Sequence, residues 1–177
     1  NNVIQGIFWT ANKLDGLSFR ERTEDYPQYH KQQQSWDVIN KKGNLIAIFY
    51  SDYYPRDGKG AGAWCGRFRP QSYDGAMRVQ PIVTNVCNMT LPAEEGGPAL
   101  QTVDNVLTMF HEFGHALHSF FRDVQYEGTG GVERDFVELP SQINEHWAFA
   151  PEVLRQYARH YRTGEVIPQE LVEKIDA

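Results

Sequence analysis

Cysteine is scarce in this chain, with only Cys65 and Cys87 among 177 residues. Two cysteines rule out a disulfide framework, and neither their spacing nor their neighbours suit a zinc-thiolate site. Two small buried thiols are the simplest reading, with one disulfide between them left open. Clustered basic residues are lacking as well. With 17 Lys and Arg against 23 Asp and Glu, a formal charge of −6 and a pI near 5.5, the chain offers no surface for a polyanion, and nucleic acid is set aside as a partner. No apolar run approaches the ~20 residues that a membrane span needs. The N-terminus has no charged-then-apolar signal pattern, so a soluble chain without a membrane partner is expected. Internal repeats and low-complexity tracts are also absent.

What is present suits one compact domain: 41% of residues are apolar and 13% aromatic, over a length sufficient for a core. Val3, Ile4, Ile7, Phe8, Ala11 and Leu14 recur at helical spacing, which predicts an amphipathic helix ending near Gly16. Trp36 to Ile39, a Lys42-Gly43-Asn44 turn and Leu45 to Tyr54 predict a β-hairpin. Trp64 to Phe68 and Ile82 to Met89 suit two further short strands, and Glu94 to Pro98 a loop. From residue 102 onward the chain reads as mostly helical, over 103–122, after Asp135, over 151–163 and after Pro168. Strands first and helices after imply an α+β fold, helices packing on a small antiparallel or mixed sheet. The helical pattern still running at Ala177 suggests that residues 1–177 are a piece of something longer.

The chemistry is concentrated in His111-Glu112-Phe113-Gly114-His115, a His-Glu-x-x-His pattern within good helical flanks. Residues four apart share one helix face about 6 Å apart along the axis, so the two imidazoles can converge on one zinc ion. Glu112 follows His111 by about 100° of rotation and sits beside such an ion, placed as general base for a water whose pKa zinc lowers. An amide bond is the natural target. Gly114 costs about 1 kcal/mol relative to Ala within a helix, which suggests that another backbone approaches closely there.

A catalytic zinc site uses three protein ligands and one open position. The third histidine of metzincins is absent, because Phe121 stands ten residues beyond His111. Glu138, opening a helical stretch, is the favoured third ligand, with Glu145 and His146 further along as rivals. His118 lies about 10 Å along the axis from His111, too far to join that ion, and reads as a core histidine or one that supports a ligand. Asp104 and Gln142 are candidates to hold ligand side chains from behind. For Asp104, an ordinary carboxylate at a helix N-terminus is the competing reading. The Gly58, Gly60, Gly62 run lacks the Gly-Lys-Ser/Thr ending of a phosphate loop and reads as a flexible loop or the rim of a cleft.

Phe110 to His118 together with Val132 to Gln142 resembles the thimet oligopeptidase family of zinc peptidases. Tyr26 to His30, Ile48 to Arg56 and Gly62-Ala63-Trp64 extend the resemblance over nearly the whole chain. Gly62-Ala63-Trp64 and Gln142 to Trp147 look most like the peptidyl-dipeptidases of that family, which release dipeptides from peptide C-termini. The resemblance implies a zincin-like catalytic core, one Zn2+ held by His111, His115 and Glu138, and Glu112 as catalytic base. It also implies short peptide substrates, cytoplasmic peptide turnover, and a deep channel in which a strand edge, here Ile82 to Asn88, binds extended substrate. Two departures stand out. The loop between His118 and Glu138 is two residues shorter than the family pattern, and family members are several times longer. On that comparison the chain is a single-domain fragment of a catalytic domain, partnered by missing N- and C-terminal parts of the same polypeptide. Such a fragment binds zinc but hydrolyses peptides poorly alone, or serves only as a structural or peptide-binding module.

Overall fold

The computed structural model describes residues 2–94 and 97–175, so part of the predicted 94–98 loop lies outside the described residues. Helix α1, Asn2–Asp15, buries Ile4, Ile7, Phe8 and Ala11, and the chain leaves it through Gly16 at φ +71°. Leu14 does not join the buried stripe. It lies in the last turn, 49% exposed, so the packed face ends at Ala11. Gly6 lets α1 meet Tyr157 of a later helix, because a Cβ there would come within 2.7 Å of the tyrosine ring.

The sheet contains β1 (Ser18–Glu21), β2 (Gln34–Ile39), β3 (Leu45–Asp52), β4 (Trp64–Arg69) and β7 (Ile82–Val86), in the order β1-β2-β3-β7-β4. The hairpin of β2 and β3 forms as expected, with Ser35 opposite Tyr50 and Asp37 opposite Ile48. Its turn is closed by Asn40 Oδ1, which accepts from the backbone N–H groups of Lys42 and Asn44, while Gly43 takes φ +81°. β7 runs parallel to β3 and antiparallel to β4, which makes the sheet mixed. A small hairpin of β5 (Ser72–Asp74) and β6 (Met77–Val79) stands apart; its strands are too short to show a sequence period.

Helix α2, Val103–Phe120, lies against β7, β4 and β3. Thr102 caps it, its side-chain oxygen accepting from the Asn105 backbone N–H. Val106, Met109, Phe110, Phe113, Ala116 and Phe120 form the buried face of α2. Phe113 centres an aromatic cluster, with ring centroids 5.6 Å from Phe49, 5.9 Å from Phe8 and 6.1 Å from Phe120. Burying that stripe leaves His111, His115 and His118 together on the side of α2 turned away from the core.

Helices α3 (Leu139–Glu145), α4 (Pro151–Tyr157) and α5 (Gln169–Ile175) follow. The helix predicted over 151–163 is cut short at Tyr157. Ala158 leaves helical geometry at ψ 78°, and the chain folds back through Gly164, at φ +73°, to bridge Arg159 with Val166. A glycine in that turn stabilises reversal over helix extension. No helix among the described residues is long and apolar enough to cross a membrane.

Candidate active site

Helices α2 and α3 approach one another so closely that a side chain at their contact would collide with backbone. A Cβ on Gly114 would lie 2.6 Å from both the Pro140 carbonyl oxygen and the Ser141 Cα. The backbone approach suggested by a glycine in mid-helix is therefore present. Buried Asn144 fastens the contact, its Nδ2 donating to the Phe110 carbonyl over 2.6 Å. Glu138, at the N-cap of α3, is thereby delivered to the histidine face of α2.

Glu138 Oε2 lies 3.2 Å from His111 Nε2 and 3.2 Å from His115 Nε2, and one ligand atom from each of the three residues lies within 4.8 Å of the others. Four ligands placed tetrahedrally at 2.0–2.1 Å from one ion are about 3.3 Å apart, so the donor set and its spacing fit a zinc ion. The Ser141 hydroxyl donates to Glu138 Oε2 over 2.9 Å and, ahead of the neighbouring imidazoles, holds the Glu138 carboxyl below the usual carboxylate range. Burial lowers the His115 pKa against the opposing pull of Glu138, which favours the neutral imidazole that a metal needs.

Glu112 is buried, 6% exposed, and its Oε2 has no hydrogen-bond partner among the described residues. Burial raises its pKa, with His111 opposing. An unpartnered buried carboxylate oxygen beside a convergent ligand set is costly to the fold and points to a chemical role.

The supporting residues differ from those expected. Neither Asp104 nor Gln142 hydrogen-bonds through its side chain to His111, His115 or Glu138 among the described residues; Asp104 sits in the first turn of α2 and Gln142 is exposed. The imidazole of His111 is held instead by Glu145, whose Oε1 lies 2.5 Å from Nδ1. In the sequence Glu145 is a carboxylate two turns beyond Glu138 and a rival ligand; its place behind His111 depends on the α2–α3 crossing. His146 is exposed at the C-cap of α3, outside the convergent set. His118 lines the cleft one turn past His115.

The cleft over these groups has a volume of about 510 Å³ and is walled on the opposite side by Ala63, Trp64, Cys65 and Arg67 of β4 and the loop before it. Strand β4 terminates the sheet, whereas β7 pairs with neighbours on both sides. Within the segment Ile82 to Asn88, strand β7 therefore offers no free edge, and β4 is the edge strand at the cleft. The glycine-rich loop is anchored where flexibility was one expectation. Lys59 Nζ donates to Asp52 Oδ1 and to the Tyr54 carbonyl, and Asn88 Nδ2 to the carbonyls of Gly60 and Gly62. Cys65 and Cys87 are both free thiols.

A family model for Peptidase family M3 matches residues 1–177. The chain is 47% identical to the dipeptidyl carboxypeptidase of Escherichia coli strain K12, over 99% of its own length and 26% of that protein's. It is 36% identical to oligopeptidase A of Salmonella typhimurium (99% and 26%), and 35% identical to the thimet-like oligopeptidase of Dictyostelium discoideum (99% and 27%). It thus spans about a quarter of the length of these relatives. Similarity along the entire chain, with the His-Glu-x-x-His helix and Glu138 within the matched span, identifies the chain as belonging to peptidase family M3.

Proposed function

We propose that this chain is the metal-binding and catalytic segment of a zinc peptidase with a zincin-like core, in which His111, His115 and Glu138 hold one Zn2+ and Glu112 is the general base. The observation that carries the reading is the convergence of Nε2, Nε2 and Oε2 beside the unpartnered Oε2 of Glu112. When bound, the ion supplies Lewis acidity toward a water and toward the scissile carbonyl.

The chain's own groups do the rest. Glu145 accepts the Nδ1–H of His111, which leaves the Nε2 lone pair directed into the cleft. Ser141 orients Glu138. Glu112 takes a proton from the attacking water at Oε2 and returns it to the departing amine, a task matched by a carboxyl whose pKa is raised by burial. The free edge of β4 suits an extended peptide backbone, and this supports a substrate path between β4 and α2.

Short oligopeptides are the substrates under this reading, with release of C-terminal dipeptides supported by the likeness to dipeptidyl carboxypeptidases and a cytoplasmic setting proposed with it. Phe136 and Ile143, each 50% exposed, and Trp147, 37% exposed, suit contact with further segments of a longer polypeptide. A second reading, a zinc-binding module that is inactive alone, is favoured by that apolar exposure. Elemental analysis and a peptide-cleavage assay separate the readings. Near-stoichiometric zinc in the wild type, its loss in Glu138→Ala, and zinc retained but cleavage abolished in Glu112→Gln are expected. Zinc without any cleavage in the isolated chain supports the module. A folded wild type that takes up no zinc overturns both.

A further inference from the structure

Two arginines face the cleft with no acid to pair with. Arg67 projects from β4 two positions beyond Cys65, on the same side of the strand, and Arg122 follows the C-terminal end of α2; both line the cleft that holds His111 and Glu138. Neither guanidinium forms a salt bridge or a side-chain hydrogen bond among the described residues, and both line the same cleft. The carboxylates that line the cleft are Glu112 and Glu138, both committed to the site described above. Arg122 is half-buried and lies against the backbone of Gly130, where a Cβ would come within 1.9 Å of its Nε. Arg67 and Arg122 share the wall of one cleft, and burial, with the charge of Arg67 adding to it, lowers the Arg122 pKa.

Exposed Arg67 and half-buried Arg122 thus present two guanidinium groups to one cleft without an acidic partner among the described residues, and a planar guanidinium binds a carboxylate through two parallel hydrogen bonds. We propose that Arg67 and Arg122 form a subsite for a carboxylate of the peptide substrate, two to three residues from the scissile bond. The proposal rests on the peptidase reading. The spacing follows from helix and strand geometry. His115 to the end of α2 at Phe120 is about 7.5 Å along the axis, and an extended peptide covers about 3.3–3.6 Å per residue.

The carboxylate has two possible sources, distinguished by the direction of the peptide on β4. Antiparallel pairing, the more stable per residue, carries the amino-terminal side of the substrate past Arg67, so an acidic side chain before the scissile bond fills the subsite. Parallel pairing instead brings the free C-terminal carboxylate there, two residues beyond the cut.

The test is binding of fluorescein-labelled alanine-rich hexapeptides to zinc-loaded Glu112→Gln chain, read by anisotropy so that no turnover is required. Four peptides are compared: neutral with a C-terminal amide, neutral with a free C-terminus, and amidated with Glu or with Gln in the amino-terminal half. The Glu peptide is expected to bind about tenfold tighter than its Gln twin, equivalent to ~1.4 kcal/mol. That preference should vanish in Arg67→Gln and in Arg122→Gln, fall in Arg67→Lys, which keeps the charge but not the two-pronged hydrogen bond, and leave the affinity of the neutral peptide unchanged. A tenfold preference for the free C-terminus, lost in the same variants, supports the subsite and assigns it to the terminal carboxylate. Equal binding of charged and neutral peptides, or a preference that survives both Gln substitutions, overturns the subsite while leaving the peptidase reading intact. Failure of every peptide to bind overturns both.

Discussion

Glu145 Oε1 lies 2.5 Å from His111 Nδ1, on the side of the ring opposite Nε2, which faces Glu138. The contact fixes both the tautomer and the tilt of a proposed metal ligand from a residue that is not itself in the convergent set.

Glu145→Gln is therefore expected to weaken zinc binding by about 10- to 100-fold, the usual range for loss of a partner behind a metal-bound histidine. Competition against a chelator of known affinity measures it. Unchanged affinity would make the Glu145 contact incidental.

Gly114→Ala sets two effects against one another. Alanine gains about 1 kcal/mol of helix propensity, but its Cβ would meet backbone atoms of Pro140 and Ser141 at 2.6 Å, and backbone cannot swing aside. Overpacking costs typically 1–3 kcal/mol, so net destabilisation is expected. Urea unfolding of the variant should show a lowered midpoint, and zinc affinity should fall with it because Glu138 rides on the displaced helix.

Asp52 is buried between Arg56, bonded at 2.8 and 2.9 Å, and Lys59, whose side chain is 3% exposed. Burial alone would raise its pKa, but the hydrogen bonds from Arg56 and Lys59 outweigh it, and the folded-state pKa is lowered from 3.8. A depressed carboxylate stabilises the fold above the unfolded-state pKa and loses that contribution as pH falls through the folded-state value. Stability is thus expected to drop below about pH 4, with a smaller drop in Asp52→Asn. At neutral pH Asp52→Asn should cost about 3–5 kcal/mol, because it leaves Lys59 buried without its counter-charge. Denaturant titrations at pH 7 and pH 3 check both.

Burial pushes the Cys65 thiol up to about 12 and the Cys87 thiol higher still. Since the thiolate is the reactive form, neither should react appreciably with iodoacetamide at pH 7.5 in the native protein, and both should react in denaturant. Mass spectrometry counts the adducts. Rapid native labelling of Cys87 would contradict its burial.

The amino-acid sequence alone was sufficient for the parts of this protein set by local periodicity. A 3.6-residue apolar stripe specifies α2 and, by burying Phe110, Phe113 and Phe120, turns His111 and His115 to the opposite face. Runs rich in Val, Ile, Phe and Tyr on either side of a Lys42-Gly43-Asn44 turn likewise specify the β2–β3 hairpin. The reversal at Gly164 is hidden in the sequence because the helical pattern runs over 151–163, whereas in the fold the turn that bridges Arg159 with Val166 overrides it. Tertiary structure decided what depends on pieces distant along the chain. Glu138 and Glu145 both looked like carboxylates on one helical face, and only the crossing at Gly114 separated their positions, Glu138 facing both imidazoles and Glu145 lying behind one. Strand order decided that β4, not β7, borders the cleft. Arg67 and Arg122 became a pair only once a strand and a helix end met across that cleft, because a sequence period describes one element and carries no information about which other element it will face.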